Sequence, residues 1–180
     1  MADDITRLGS RLVYENPWMR VREDAIRRGD GSTGVFGVVE QPDYVIVAAL
    51  EDGFIHLVEQ FRYPVGRRSW ELVQGGWEDR PDADPAEVAR GELAEETGLI
   101  AAEMRQIGRL LPLPGRVAQT CRVFVATSLS QGPRSLSVDE QDLVTRAFPI
   151  AEAVAMVRGG VIRDAGTVAA FGLLSLNGLI

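Results

Sequence analysis

Apolar positions in the first 75 residues fall into strand-length runs, and a helix-length pattern follows them. Arg11 to Arg28 and Val35 to Gln41 read as strands, separated by the turn-rich Gly29-Asp30-Gly31-Ser32. Residues 1–9 read as a loose arm ahead of them. Tyr44 to Leu50 is continuously apolar and β-branched, which suits a buried strand. Glu51-Asp52-Gly53 then predicts a hairpin turn, with Phe54 to Arg62 returning as the partner strand. Trp70 to Val73 forms a further short strand that ends at Gly75-Gly76.

The clearest helix signal spans 84–98. Asp84 is placed as N-cap, Pro85 takes the first helical position, Glu87 is placed to complete a capping box, and Gly98 supplies the stop. Strand-like runs follow at about 104–111, 121–129 and 143–148, with a polar loop over 130–142 that contains Gly132-Pro133. Helices at about 150–158 and 165–176 close the chain. The order β-rich, helix, β-rich, helix predicts a mixed sheet covered by helices, an α/β (α+β) fold. No repeat or linker divides it.

Composition narrows the chemistry. At 180 residues the chain buries its own core without a disulfide or metal staple. A single cysteine, Cys121, excludes a disulfide framework and a Cys-cluster zinc site, and a single histidine, His56, excludes a His-rich metal site. Both read as structural. The formal charge of −7 makes the chain a poor partner for nucleic-acid backbones. All 19 basic residues are arginine, so Schiff-base chemistry and P-loop phosphate binding, which need lysine, are absent. No apolar run reaches the ~18 residues of a membrane span. The acidic, polar start MADDITRLGS does not read as a signal peptide. A cytoplasmic protein is the expectation.

Glu92, Glu95 and Glu96 stand at i, i+3 and i+4 of the 84–98 helix and share a face. Like charges at that spacing repel, and a hard cation such as Mg²⁺ or Mn²⁺, which takes oxygen ligands, relieves the repulsion. A solvated acidic face has the same spacing, so spacing alone leaves both readings open.

The stretch GGWEDRPDADPAEVARGELAEETGLI resembles the Nudix box, G-x5-E-x7-R-E-U-x-E-E-x-G-U with U aliphatic. Glu92 to Leu99 matches its C-terminal half in full. Its N-terminal half departs: Gly91 holds the arginine position, Ala83 holds the first glutamate position, and Gly76 fits the opening glycine only with one inserted residue. In the family that glutamate and arginine are expected to pair and brace the loop on the helix. Both are missing here, so no charge is orphaned; Arg90 lies one position off, and Asp82 or Asp84 is the nearest acidic substitute.

The similarity extends over nearly the whole chain and is closest to the ADP-ribose pyrophosphatase branch. Glu59-Gln60-Phe61-Arg62-Tyr63-Pro64 resembles its Q-[FY]-R-[YP]-P run, and Trp70 to Gly76 its W-E-[LF]-P-[AQ]-G run, with Val73 in place of proline. Residues 149–174 resemble its closing helices, with Gly166 where lysine is common. The resemblance implies a Nudix α/β/α sandwich over 43–180, preceded by a small antiparallel sheet over 1–42 that serves dimerisation and substrate contacts.

It also implies roles. Glu92 and Glu96 are the main Mg²⁺ or Mn²⁺ ligands, supported by Glu95 and by the carbonyl of Gly75 or Gly76. Arg62 holds the diphosphate through bidentate bonds or, on the plainer view, makes a rim salt bridge. Glu71 is a further ligand or a structural partner. Trp18 and Phe36 either stack on the base or pack in the core, and Trp77, read as exposed on the metal loop, lines the substrate. The branch's catalytic glutamate falls in Val138-Asp139-Glu140-Gln141-Asp142-Leu143, where Gln141 replaces one glutamate. Glu140 is therefore the nominated base and Asp139 its alternate. The implied activity is metal-dependent hydrolysis of ADP-ribose or a related nucleoside diphosphate sugar by a homodimer. The alternative is a degenerate Nudix domain that binds a nucleotide ligand without turnover.

Overall fold

The computed structural model of the protein describes residues 4–77, 80, 82–136 and 141–180. Their elements, in order, are β1 (Ile5–Glu15), β2 (Arg20–Arg28), β3 (Thr33–Glu40), β4 (Tyr44–Glu51), β5 (Phe54–Arg62), β6 (Arg67–Glu71), β7 (Val73–Gly75), α1 (Pro85–Thr97), β8 (Leu99–Leu110), β9 (Val117–Ala118), β10 (Cys121–Gln131), β11 (Val144–Pro149), α2 (Ile150–Arg158) and α3 (Ala165–Leu176). A 3₁₀ turn over Tyr63–Val65 joins β5 to β6.

The chain divides into two units. The first runs through Asp43 and takes in Leu111–Thr120 as well. Its sheet has the order β1-β2-β3-β9, antiparallel except for the short parallel pair β3–β9. The predicted loose arm is corrected here, because Ile5 already pairs with Arg28 and opens β1. All of β1 is exposed, so it lacks the half-buried alternation by which a strand is recognised in sequence. Recruitment of 111–120 rests on hydrogen bonds from backbone amides: the Val39 amide donates to the Arg116 carbonyl, and the Thr120 amide donates to the Asp43 carboxylate.

The second unit holds a mixed sheet of order β11-β5-β4-β10-β8, with β6 paired to β5 and β7 to β4. The run Tyr44 to Leu50 explains why it is covered on both faces. Val45, Val47 and Ala49 pack with Val88, Ala89 and Leu93 of α1, whereas Ile46 and Ala48 pack with Ala153 of α2 and Ala170, Phe171 and Leu174 of α3. Alternation along one strand thus feeds two apolar cores, giving a helix–sheet–helix sandwich. Cys121 is buried in β10, and His56 lies within β5 between β4 and β11. Burial lowers the His56 pKa, with Glu51 opposing it.

The predicted helices form where their caps lie. The Asp84 carboxylate accepts from the Ala86 amide, Pro85 opens α1, and Gly98 ends it at φ 74° with its amide on the Ala94 carbonyl. β8 begins directly after that stop, earlier than its predicted start near 104. Among the described residues, no helix is long and apolar enough to cross a membrane.

Candidate active site

Three pieces of the second unit converge on the glutamates of α1. The helix lays its apolar stripe on β4, which turns Glu92 and Glu96 inward; both are buried, whereas Glu95 is exposed. Burial therefore divides the three carboxylates that spacing places on one face. β7 brings Gly75 against Glu92: a Cβ on Gly75 would stand 2.6 Å from the Glu92 carboxyl carbon and 3.0 Å from Oε1. Only a glycine admits a carboxylate that close to a strand backbone.

The end of β5 and the end of β6 supply the second piece. Arg62 Nε donates to both oxygens of Glu71 at 3.2 and 3.0 Å, and Nη2 donates to Oε2 at 2.5 Å. Gln74 adds a bond to the same Oε2 at 2.6 Å. Glu71 is only 2% exposed, so its carboxylate is spent on orienting Arg62, as a structural partner does. Burial works against the Arg62 charge, but Glu71, Asp164 and Glu96 outweigh it and hold its pKa above the ordinary arginine value.

A cavity of about 350 Å³ opens beside this pair. Arg62, Arg67 and Arg163 line it with Glu71, Gln74 and Asp164. The size is that of a small-molecule pocket, and its three guanidiniums suit an anion. Asp164 caps α3 by accepting from the Thr167 amide, and the Thr167 hydroxyl accepts from the Leu72 amide, so α3 is tied to the β6–β7 junction. A Cβ on Gly166 would meet Ile46 at 2.7 Å and the Tyr44 hydroxyl at 3.3 Å. Burial raises the pKa of that Tyr44, with Cys121 and Asp164 adding to the shift.

The third piece holds the far end of α1. Arg134 Nε and the Thr145 hydroxyl both donate to the Glu96 carbonyl, at 2.6 and 3.1 Å, and Arg134 Nη2 reaches the Leu143 carbonyl at 2.8 Å. Arg68 bonds Glu59 and Asp142 together. Glu140, the nominated base, and Asp139, its alternate, lie outside the described residues. The clamps Arg134 and Arg68 were not singled out from sequence, since neither sits in a motif or a periodic pattern.

The remaining predicted residues fall as follows. Trp18 is 56% and Phe36 40% exposed, which removes core packing as the explanation of either ring. Trp18 follows an Asx turn at the β1–β2 connection, where the Asn16 carboxamide oxygen accepts from the Trp18 and Met19 amides. Trp77, read from sequence as exposed, is half-buried against the α1-side core. Gly76 follows β7. Arg90 bonds the Ala101 carbonyl of β8.

Among the described residues, no group of three or more His, Cys, Asp or Glu side chains is poised to hold a metal ion. The donor chemistry nevertheless fits a hard divalent cation, because two buried carboxylates stand one helical turn apart and one of them, Glu92, faces a strand backbone that a glycine leaves open.

Residues 40–171 match the NUDIX domain family, and residues 5–39 match the nucleoside diphosphate sugar hydrolase N-terminal domain family. The chain is 32% identical over 176 residues to an ADP-ribose pyrophosphatase of Mycobacterium tuberculosis, covering 97% of this chain and 84% of the relative. It is 26% identical over 183 residues to a GDP-mannose pyrophosphatase of Citrobacter koseri, covering 98% and 86%. A solved structure described as that of an ADP compounds hydrolase superposes with a TM-score of 0.85 at 20% identity, covering 99% of this chain and 98% of that one. That likeness is one of fold.

Proposed function

The chain belongs to the Nudix hydrolase family, and from that premise we propose that it hydrolyses the diphosphate of ADP-ribose or a closely related nucleoside diphosphate sugar. Water attacks one phosphorus, the bridging P–O bond breaks, and a nucleoside monophosphate and a sugar phosphate leave with release of a proton. For ADP-ribose the products are AMP and ribose 5-phosphate. The observation that carries this reading is the buried pair Glu92 and Glu96, of which Glu96 stands within electrostatic reach of Arg62, an arginine that lines a cavity.

Glu92 and Glu96, with the backbone at Gly75 or Gly76, hold Mg²⁺ or Mn²⁺, and Glu95 at the exposed edge supports them. The bound cation supplies neutralisation of the diphosphate and polarisation of a water. Arg62, locked on one edge by Glu71, presents Nη1 to a phosphate oxygen and stabilises the charge that develops there. Arg67 and Arg163 extend the positive lining along the cavity. Glu140, or Asp139, takes the proton of the attacking water, a role worth ~10²–10⁴-fold in rate. Ala83, Gly91 and Gln141 depart from the family pattern without removing a member of the buried carboxylate pair.

Release of phosphate, coupled to a phosphatase, tests the proposal across ADP-ribose, GDP-mannose, UDP-glucose and diadenosine polyphosphates with Mg²⁺ or Mn²⁺. Metal-dependent turnover of ADP-ribose above the others is the expected result. Turnover of none, with binding retained, would assign the chain to the non-hydrolysing ligand-binding reading.

The first unit's role belongs to the same proposal. β1 is an edge strand of 11 residues whose Ile5, Leu8, Leu12, Val13 and Tyr14 are all exposed. Such an apolar edge invites pairing with another copy. We assign it to a homodimer, with Trp18 and Phe36 offered to the base. Light scattering should give twice the 19.6 kDa chain mass. A monomer at micromolar concentration contradicts the assignment.

A further inference from the structure

We propose that Trp77 is a positioning residue for the glutamate helix, its ring seated in a notch that Gly91 opens in α1. The proposal rests on the reading of Glu92 as a site residue.

A glycine in the middle of a helix is a poor choice on propensity alone. Here its missing Cβ is replaced by a neighbour. A Cβ on Gly91 would stand 3.1 Å from Cε2 and Cη2 of Trp77 and would overlap Cζ2. The ring also packs on the core cluster formed by Val88, Ala89 and Leu93, where Ala83 joins it. Its other neighbour is the Arg80 guanidinium, 3.8 Å from the ring centroid. The Arg80 amide donates to the Trp77 carbonyl and the Ala83 amide to the Arg80 carbonyl, both at 3.1 Å, which carries the backbone toward the start of α1.

The placement matters because of its neighbours in sequence. Trp77 lies two residues beyond Gly75, and Gly91 lies one residue before Glu92. Two glycine notches therefore interlock: the helix receives the Trp77 ring, and β7 receives the Glu92 carboxylate. Seating the ring sets the separation between strand backbone and helix, and so the position of the carboxylate. An apolar seat of this kind does the work of a brace with no ion pair at positions 83 and 91, and salt does not screen it.

A double-mutant cycle on the full chain reads the seat. Gly91→Ala should lower Tm in the wild-type background, because the new methyl displaces the ring, although alanine is the better helix former. In Trp77→Ala the same substitution should raise Tm by about 2–4 °C. The positioning role is read by Mn²⁺ titration and by a kcat against KM split. Trp77→Ala should weaken Mn²⁺ binding by about 10–100-fold, as loss of a supporting group does, and lower kcat more than it raises KM. Trp77→Phe should restore most of both.

An equal rise in Tm from Gly91→Ala in both backgrounds would show that the ring is not seated there. A reversed sign with Mn²⁺ affinity and kcat unchanged in Trp77→Ala would reduce the contact to packing and overturn the positioning role. Failure of the wild-type protein both to bind Mn²⁺ and to turn over any substrate would overturn the functional reading instead, and the Tm cycle would distinguish the two failures.

Discussion

Replacing Glu92 and Glu96 together by glutamine lowers turnover by about 10³-fold or more, the equivalent of the several kcal/mol that a catalytic metal contributes. Glutamine keeps the shape of each buried side chain and removes its charge, so the fold is retained while the affinity for a hard cation is lost. The two carboxylates stand one turn apart on the same buried face and repel each other without a cation. Millimolar Mn²⁺ should raise the wild-type Tm, because a ligand of the folded state alone stabilises it, and should leave the variant's Tm unmoved. Full activity in the double variant would show that these residues hold no catalytic metal.

Glu71→Ala carries the second large effect, and it falls on stability as well as rate. The substitution leaves the Arg62 guanidinium without its hydrogen-bonded carboxylate and the Gln74 amide without its acceptor. Breaking a fully buried pair costs about 3–5 kcal/mol. The Arg62 side chain is 37% exposed, so water recovers part of that cost, and about 2–3 kcal/mol is the expected loss. For a chain of this length that lowers Tm by about 4–12 °C in a calorimetric scan. An arginine released from its bidentate anchor also loses its orientation, and kcat/KM should fall by about 10²-fold. Arg62→Lys keeps a charge but not the fork, so it should lose activity on a similar scale. An unchanged Tm in Glu71→Ala would show that the pair is ornamental.

The local elements were legible wherever their signals are local. Asp84, Pro85 and Gly98 bound α1 because capping depends on residues within one turn of the helix end. Tyr44 to Leu50 was readable as buried because both faces of β4 are covered. Where an element's reason lies elsewhere in the chain, sequence reading failed. β1 is a strand because β2 pairs with it, and its exposed side chains carry no alternation. The stretch 111–120, rich in proline, joins the first unit through bonds to residues some 77 positions away.

The site divides in the same way. Residue types and their spacing on a helix point to Glu92, Glu95 and Glu96 as the carboxylate set, and the flanking runs point to Arg62 and Glu71. Spacing could not say which carboxylates are buried, because burial depends on the sheet that α1 covers; Glu92 and Glu96 face it and Glu95 does not. The same holds for Glu71, whose bond to Arg62 exists because the β5–β6 hairpin brings together side chains nine residues apart. Arg134 and Arg68 gained their roles only from folding, which carries them to carbonyls and carboxylates remote in sequence.

Sequence by itself determined the α/β class, the bounds of the helices, the apolar central strand and the chemical identity of the carboxylates and the guanidinium. The class, the helix bounds and the strand follow from propensity, capping and periodicity, which act over a few residues; the carboxylates and the guanidinium follow from the resemblance to the Nudix box and its flanking runs. Tertiary structure alone decided the interlocked notches at Gly75 and Gly91, the burial of one carboxylate pair, and the anchoring of Arg62 by Glu71. Each of these is a contact between side chain and distant backbone or side chain. Close packing assigns such a contact its partner only when all the elements are in place.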